Sequence, residues 1–255
     1  MNDPTGRFDT ETDAVYAGAS SSDDPFRFDE AVARVFPDMI RRSVPGYTTI
    51  VPMIGVIAAR FARPDTALYD LGCSLGAVSL AMRHSVRVHG ARIVAVDNAA
   101  SMIERGRHYI ALDDGPLPVE LQCADIRDIE YQPASVVALN FTLQFLPPED
   151  RNALLERLCQ ALTPGGALVL SEKVAFADPD EQSLLEELHL DFKRAQGYSE
   201  MEISRKRNAL EEVLIPESID THRQRLEAAG FEQVTLWHQS LNFVSILAIA
   251  PEATA

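Results

Sequence analysis

Positive charge is scarce in this chain of 255 residues: 23 Lys and Arg face 38 Asp and Glu, a net charge of −15. A polyanion partner needs clustered cations to displace its counterions, so the average field here repels nucleic acid. Cysteine is scarce too. Cys73, Cys123 and Cys159 lie far apart, with neither the even count of a disulfide framework nor metal-ligand spacing. They read as reduced thiols of a cytoplasmic protein. The six histidines are scattered without partners at metal spacing, so no metal is expected. No apolar run approaches the ~20 residues of a membrane span. The N-terminus has neither the basic region nor the apolar core of a signal peptide. Repeats and low-complexity tracts are absent.

What the chain does have is hydrophobic content for a sizeable core, 46%, and an alternating pattern of short apolar runs and helical stretches. Residues 1–25, rich in Asp, Thr, Ser, Ala and Gly, read as a disordered tail, and 251–255 as a second, short tail. Helices are expected at Asp29–Ile40, where Pro37 limits or kinks the pattern, and at Tyr47–Ala62. Strands follow at Ala67–Leu71, Arg92–Val96, Val119–Cys123, Ser135–Phe141, Gly166–Ser171, Gln233–His238 and Asn242–Ala250. Helices at Ala77–Val86, Ala100–Ala111 and Glu149–Leu162 lie between most of them, the last stopped by Gly165-Gly166. This is the pattern of a parallel sheet covered on both faces. The last two strands are close enough to form a hairpin, which makes one of them antiparallel. Between Lys173 and Gly230 the chain is too long for one crossover. Glu181–Lys193 and Glu200–Val213 read as an inserted helical pair (about 180–214), ahead of the crossover helix Ser218–Ala229.

The most informative stretch is Leu68-Tyr69-Asp70-Leu71-Gly72-Cys73-Ser74-Leu75-Gly76-Ala77. An apolar run ends in an acid, a glycine-rich turn and the start of a helix, which brings backbone N–H groups close to a ligand. Asp97 closes the next strand, at the distance that suits a ribose diol. Gly72-x-Ser74-x-Gly76 lacks the spacing of the dinucleotide fingerprint. It matches the Asp-x-Gly-x-Ser/Gly-x-Gly loop of S-adenosylmethionine-binding enzymes.

The same five residues, Gly72-Cys73-Ser74-Leu75-Gly76, also match a G-x-S-x-G nucleophile elbow. That reading needs a late His on a loop, whereas His222 falls in a predicted helix and His238 in or beside a strand, and the elbow normally follows a later strand. Two further alternatives stay open at this level: an ordinary small-molecule methyltransferase and a non-catalytic nucleoside-binding protein. Each candidate also has a plain structural reading. Asp97 and Asp125 could cap helices, Asn140 could satisfy backbone groups, and Tyr47 could be a packing residue. Ser204-Arg205-Lys206-Arg207, the one dense basic cluster, could be a solvated helix face balanced by Glu200, Glu202, Glu211 and Glu212.

Longer strings carry a more specific resemblance. These are Val35-Phe36-Pro37-Asp38-Met39-Ile40, Arg42-Ser43-Val44-Pro45-Gly46-Tyr47, Asp125-Ile126-Arg127-Asp128-Ile129, Leu139-Asn140-Phe141-Thr142-Leu143-Gln144-Phe145-Leu146, Leu170-Ser171-Glu172-Lys173, Asp191-Phe192-Lys193-Arg194 and Gly197-Tyr198-Ser199-Glu200. With Ile203-Ser204 and Lys206-Arg207 they make residues from about Phe26 to Ala250 similar to the carboxy-S-adenosyl-L-methionine synthases.

The resemblance implies a Rossmann-like class I methyltransferase fold, with a mostly parallel seven-stranded sheet and one antiparallel strand. It implies a reaction of S-adenosyl-L-methionine with prephenate that yields carboxy-S-adenosyl-L-methionine and phenylpyruvate, for wobble uridine modification of tRNA. It implies a homodimer, and a possible product hand-off to the tRNA carboxymethyltransferase. Carried over by residue, Gly72, Cys73 and Ser74 lie under the methionine part, and Asp97 and Asn98 hold the ribose. Asp125 and Ile126 meet the adenine, Asn140 and Tyr47 face the reacting end, and Arg207 contacts the new carboxylate, in its own or a partner's site. Lys173, Lys193, Arg194 and Arg205 are unranked candidates for prephenate's carboxylates.

Overall fold

The computed structural model describes residues 12–15, 27–211 and 213–253. Most of the stretch read as an N-terminal tail therefore lies outside the described residues, as do Glu212 and the last two residues.

Two helices open the fold, α1 (Glu30–Ser43) and α2 (Tyr47–Phe61). The Asp29 carboxylate caps α1 by accepting from the Val32 N–H at 2.9 Å. Pro37 sits inside α1 and does not end it. The buried flanking residues Val35 and Met39 pack into one cluster with Leu75 and Met102, and that packing outweighs the one lost backbone bond.

The sheet follows: β1 (Ala67–Leu71), β2 (Arg92–Asp97), β3 (Val119–Cys123), β4 (Ala134–Asn140), β5 (Leu162–Lys173), β6 (Gln233–Ser240) and β7 (Phe243–Ile249). Between them run α3 (Ala77–Ser85), α4 (Ala100–Leu112), α5 (Pro148–Ala161), α6 (Pro179–Ala195), α7 (Glu200–Glu211) and α8 (Ile219–Ala228). The strand order is β3-β2-β1-β4-β5-β7-β6. All pairings are parallel except those of β7, which runs antiparallel to both β5 and β6. The expected mostly parallel seven-stranded sheet with one antiparallel strand is present.

Side chains of the central strands alternate between two cores, as a period of two requires. Tyr69, Leu71, Val137 and Leu139 face Leu154, Leu158 of α5 and Leu226 of α8. Leu68, Val136 and Ala138 face Ile50, Ile54 of α2 and Val78, Met82 of α3. Because β1 and β4 are wrapped on both faces, they read as continuous apolar runs. The chain order reverses between these two strands, so a crevice opens beyond their carboxyl ends.

One boundary differs clearly from expectation. The strand after α5 begins at Leu162, which pairs with Ala134, and Gly165-Gly166 lies within it instead of stopping the helix. Ala161 is the last helical residue, and Gly165 adopts φ +69° while its N–H bonds the Pro251 carbonyl at 3.0 Å. The glycines thus serve a bend within β5, between its first residues and the run that pairs with β4 and β7.

The stretch read as a tail also needs correction at one point. Asp13 is buried, 3% exposed. Its backbone N–H donates to Asp38 at 2.9 Å, and its carboxylate accepts from the Tyr198 hydroxyl. Lys206 Nζ lies 3.5 Å from the same carboxylate and donates to Ser43 Oγ at 2.9 Å. Arg42 completes the knot: it donates to the Gln196 carbonyl at 2.8 Å and lies 4.0 Å above the Tyr198 ring. Residues near the N-terminus, the end of α1, the α6–α7 turn and α7 are thereby tied together.

Candidate active site

The carboxyl ends of β1, β2 and β4 open into a cavity of about 480 Å³, roofed by α1 and by the α6–α7 pair. The ten residues carried over as nucleoside contacts all line it: Tyr47, Gly72, Cys73, Ser74, Asp97, Asn98, Asp125, Ile126, Asn140 and Arg207. The ends of β1, β2 and β4 contribute the loop, Asp97 and Asn140; the turn after β3 contributes Asp125; Tyr47 opens α2; Arg207 comes from α7.

The loop after β1 is held open by backbone geometry. Gly72 has φ +75°, and a Cβ there would lie 2.3 Å from Thr142 Oγ1. Only glycine lets the chain pass that close. The Gly72 and Cys73 N–H groups bond the Val96 carbonyl, and the Thr142 hydroxyl donates to the Leu71 carbonyl at 2.8 Å. Asp70 stands just behind the loop, fully buried. It accepts from the Ser79 N–H at 2.9 Å and the Ser79 hydroxyl at 2.6 Å, pinning the first turn of α3. Burial lifts its pKa to about 6, against those two hydrogen bonds.

Asp97 reaches back over the loop. One carboxylate oxygen accepts from the Ser74 N–H and the other from the Ala99 N–H, each at 2.9 Å. Burial raises its pKa, and the two amides oppose the rise. Each oxygen keeps a further lone pair, the capacity a vicinal diol requires.

Asp125 is engaged by its neighbour Arg127, through the Arg127 N–H at 2.8 Å and guanidinium contacts at 3.0 and 2.7 Å. That grip holds its carboxyl below the usual range. A ligand amine would share this acid with an arginine.

At the carboxyl end of β4, Asn140 Oδ1 is buried with no hydrogen-bond partner among the described residues. A buried orphan acceptor at the end of a central strand is a position for a ligand donor such as an ammonium. Tyr47 packs beside Phe141, ring centroids 6.4 Å apart. Burial, with the Asp70 charge behind it, raises its hydroxyl pKa. His189 contacts the Ser43 carbonyl through Nε2 at 2.9 Å. Burial, then the ammonium of Lys193, push its pKa down to about 3, so it is a poor base. These residues fit an amino-acid nucleoside: glycine loop, diol acceptor and orphan acceptor stand in one cavity.

The basic cluster is not one solvated face. Lys206 points inward, 5% exposed, to Ser43 and Asp13, while Arg207 lines the cavity. Of the four further cations considered, Lys173 and Lys193 line the cavity. Arg194 is turned away onto Asp191 and Glu200, and Arg205 is not part of the lining. Sequence reasoning missed Asp13 and the inward turn of Lys206. Helical periodicity separates Lys206 from Arg205 and Arg207, but no local pattern points to Asp13.

Residues 68–166 match the family model described as a methyltransferase domain. The chain is 57% identical over 243 residues to a carboxy-S-adenosyl-L-methionine synthase of Pseudomonas putida (strain W619), covering 94% of this chain and 98% of that one. It is 58% identical over 238 residues to the synthase of Marinobacter nauticus, covering 93% and 95%.

The chain belongs to the carboxy-S-adenosyl-L-methionine synthase family.

It is therefore an enzyme with S-adenosyl-L-methionine as a substrate. Solved structures place the family's fold among the class I methyltransferases. An O-methyltransferase family protein from Burkholderia thailandensis superimposes with TM-score 0.63 at 18% identity, over 91% of this chain and 66% of that one. Human N-acetylserotonin methyltransferase gives 0.58 at 15% identity, over 87% and 55%. No single helix among the described residues is long and apolar enough to cross a membrane.

Proposed function

We propose that this enzyme takes its carboxyl group from prephenate and releases phenylpyruvate, making the carboxymethyl donor for wobble uridine modification of tRNA. The observation that carries this reading is the mixed lining of a single cavity. Gly72, Asp97 and Asn140 suit the nucleoside and its amino-acid arm. Arg207 adds to the same lining a guanidinium that can grip a carboxylate through two parallel bonds. A methyl donor alone needs no cation beyond its sulfonium.

The chemistry balances without a protein base. Prephenate loses CO₂ and hydroxide as its ring becomes aromatic. The hydroxide takes a proton from the sulfonium-bound methyl group and becomes water. The carbanion left behind adds the CO₂, giving a carboxymethyl sulfonium. The cavity's task is to hold both substrates together and keep water out until CO₂ is captured. A neutral, weakly basic His189 and an Asp70 tied to Ser79 agree with a site that leaves proton abstraction to the substrate.

In this reading the enzyme works in the cytoplasm as a homodimer that hands its product to the tRNA carboxymethyltransferase without binding nucleic acid itself. Leu184 and Leu188, one turn apart on α6, are 56% and 40% exposed, and Met201 on α7 is 47% exposed. These exposed apolar side chains on the insert support a second copy of the chain as their cover. The test is light scattering on purified protein together with turnover: a dimer with activity is expected, and a fully active monomer contradicts the dimer.

A further inference from the structure

Two ammonium groups share the cavity wall with Arg207. Lys173 closes β5 and Lys193 lies in the last turn of α6; both line the cavity. Lys193 is only 7% exposed. Among the described residues neither Nζ has a hydrogen-bond acceptor. The field at Lys193 comes from further cations, Lys206, Lys173 and Arg207; Lys173 alone feels a carboxylate, that of Glu186. Burial and this crowding depress both groups, Lys193 to a pKa of about 7.

A largely buried cation without a partner is destabilising, and an apolar group in its place would relieve that cost. Among the described residues no carboxylate forms an ion pair with Lys193. A cation so placed in a cavity wall suits an anionic ligand.

The carboxyl donor of the reaction above carries two carboxylates with different fates. One leaves as CO₂ and must release its electron pair into the ring. A cation clamped on it would stabilise the ground state more than the transition state. The other keeps its charge throughout, so a cation there binds without raising the barrier. We propose that Lys173 and Lys193 together anchor the retained 2-oxo-acid carboxylate of the donor, with the departing carboxylate turned toward the methyl carbon. This rests on the carboxyl-transfer reading. Arg207 meets the second carboxylate after it has re-formed on that carbon.

Lys173→Met and Lys193→Met test the assignment, with three readouts on the full-length protein. The KM for prephenate should rise at least about tenfold in each, the worth of a charged hydrogen bond. The affinity for S-adenosylmethionine, by calorimetry, should stay within about twofold. The thermal midpoint should hold or rise, because an unpaired buried charge has been removed. Arg194→Met, outside the cavity, should leave the prephenate KM unchanged. Folded lysine variants with the parent's KM, or with both substrates weakened alike, overturn the lysine assignment while the carboxyl-transfer reading stands. A parent that makes no carboxylated nucleoside from prephenate overturns both.

Discussion

Lys206 Nζ lies 3.5 Å from Asp13 Oδ2, and both side chains are almost closed off from solvent, at 6% and 2% exposure. This pair fastens α7, and with it Arg207, to residues near the N-terminus and to α1. Asp13→Ala leaves the Lys206 ammonium with Ser43 as its one hydrogen-bond partner among the described residues and removes the acceptor of the Tyr198 hydroxyl. Breaking one side of a buried pair costs about 3–5 kcal/mol. Urea unfolding should show a loss of that order, and an unchanged midpoint would mean the pair carries no stability.

Asp97→Ala removes the carboxylate proposed to accept the ribose diol and two backbone hydrogen bonds that shape the loop. S-adenosylmethionine affinity, by calorimetry, should fall by roughly 2–4 kcal/mol, taking each charged hydrogen bond at its usual value. The fold should survive, since Asp97 ends β2. Unchanged affinity in a folded variant would remove Asp97 from the nucleoside site.

Arg207→Met should separate the two nucleosides. Carboxy-S-adenosylmethionine differs from its precursor by one carboxylate, so it should lose roughly ten- to hundredfold more affinity. Methionine keeps much of the apolar stem. Equal losses for both nucleosides would mean that Arg207 does not read the carboxylate.

Glu172 sets a pH dependence of stability. Its carboxyl is buried, one oxygen accepting from the Leu143 N–H at 3.1 Å and the other unpartnered among the described residues. Burial raises its pKa from 4.5 to about 8, against the pull of Arg151. The folded state therefore holds this proton more tightly than the unfolded chain does. The contribution is complete below about pH 4.5 and is lost as pH rises toward 8. Relative to Glu172→Gln, the parent should lose stability across that window, by at most about 1.4 kcal/mol per pH unit. Parallel stability–pH curves for the two proteins would contradict this.

Much of this architecture is legible in the sequence because period and punctuation agree with packing. β1 and β3 fall where their apolar runs and flanking turns put them, and the hairpin of β6 and β7 follows from a short connection between two runs. Boundaries fail where tertiary pairing overrides local signals: Leu162 joins the sheet because Ala134 lies beside it, four residues before the second glycine. Pro37 stays helical for a similar reason. The glycine loop and Asp97 are readable because a backbone that must pass close by needs glycine, and an acid at the end of the next strand marks the turn beside it. Arg207 stands out from its basic neighbours only through the family resemblance. Asp13 is beyond reach, since its partner Lys206 is 193 residues away and nothing local distinguishes one acid in an acid-rich stretch.

The most direct test of the account is a single incubation of the purified protein with S-adenosylmethionine and prephenate, read by mass spectrometry. The expected result is a nucleoside heavier than S-adenosylmethionine by one CO₂, with phenylpyruvate formed in equal amount and nothing formed without prephenate. S-adenosylhomocysteine with a methylated acceptor in its place would make the protein a methyltransferase and contradict the account.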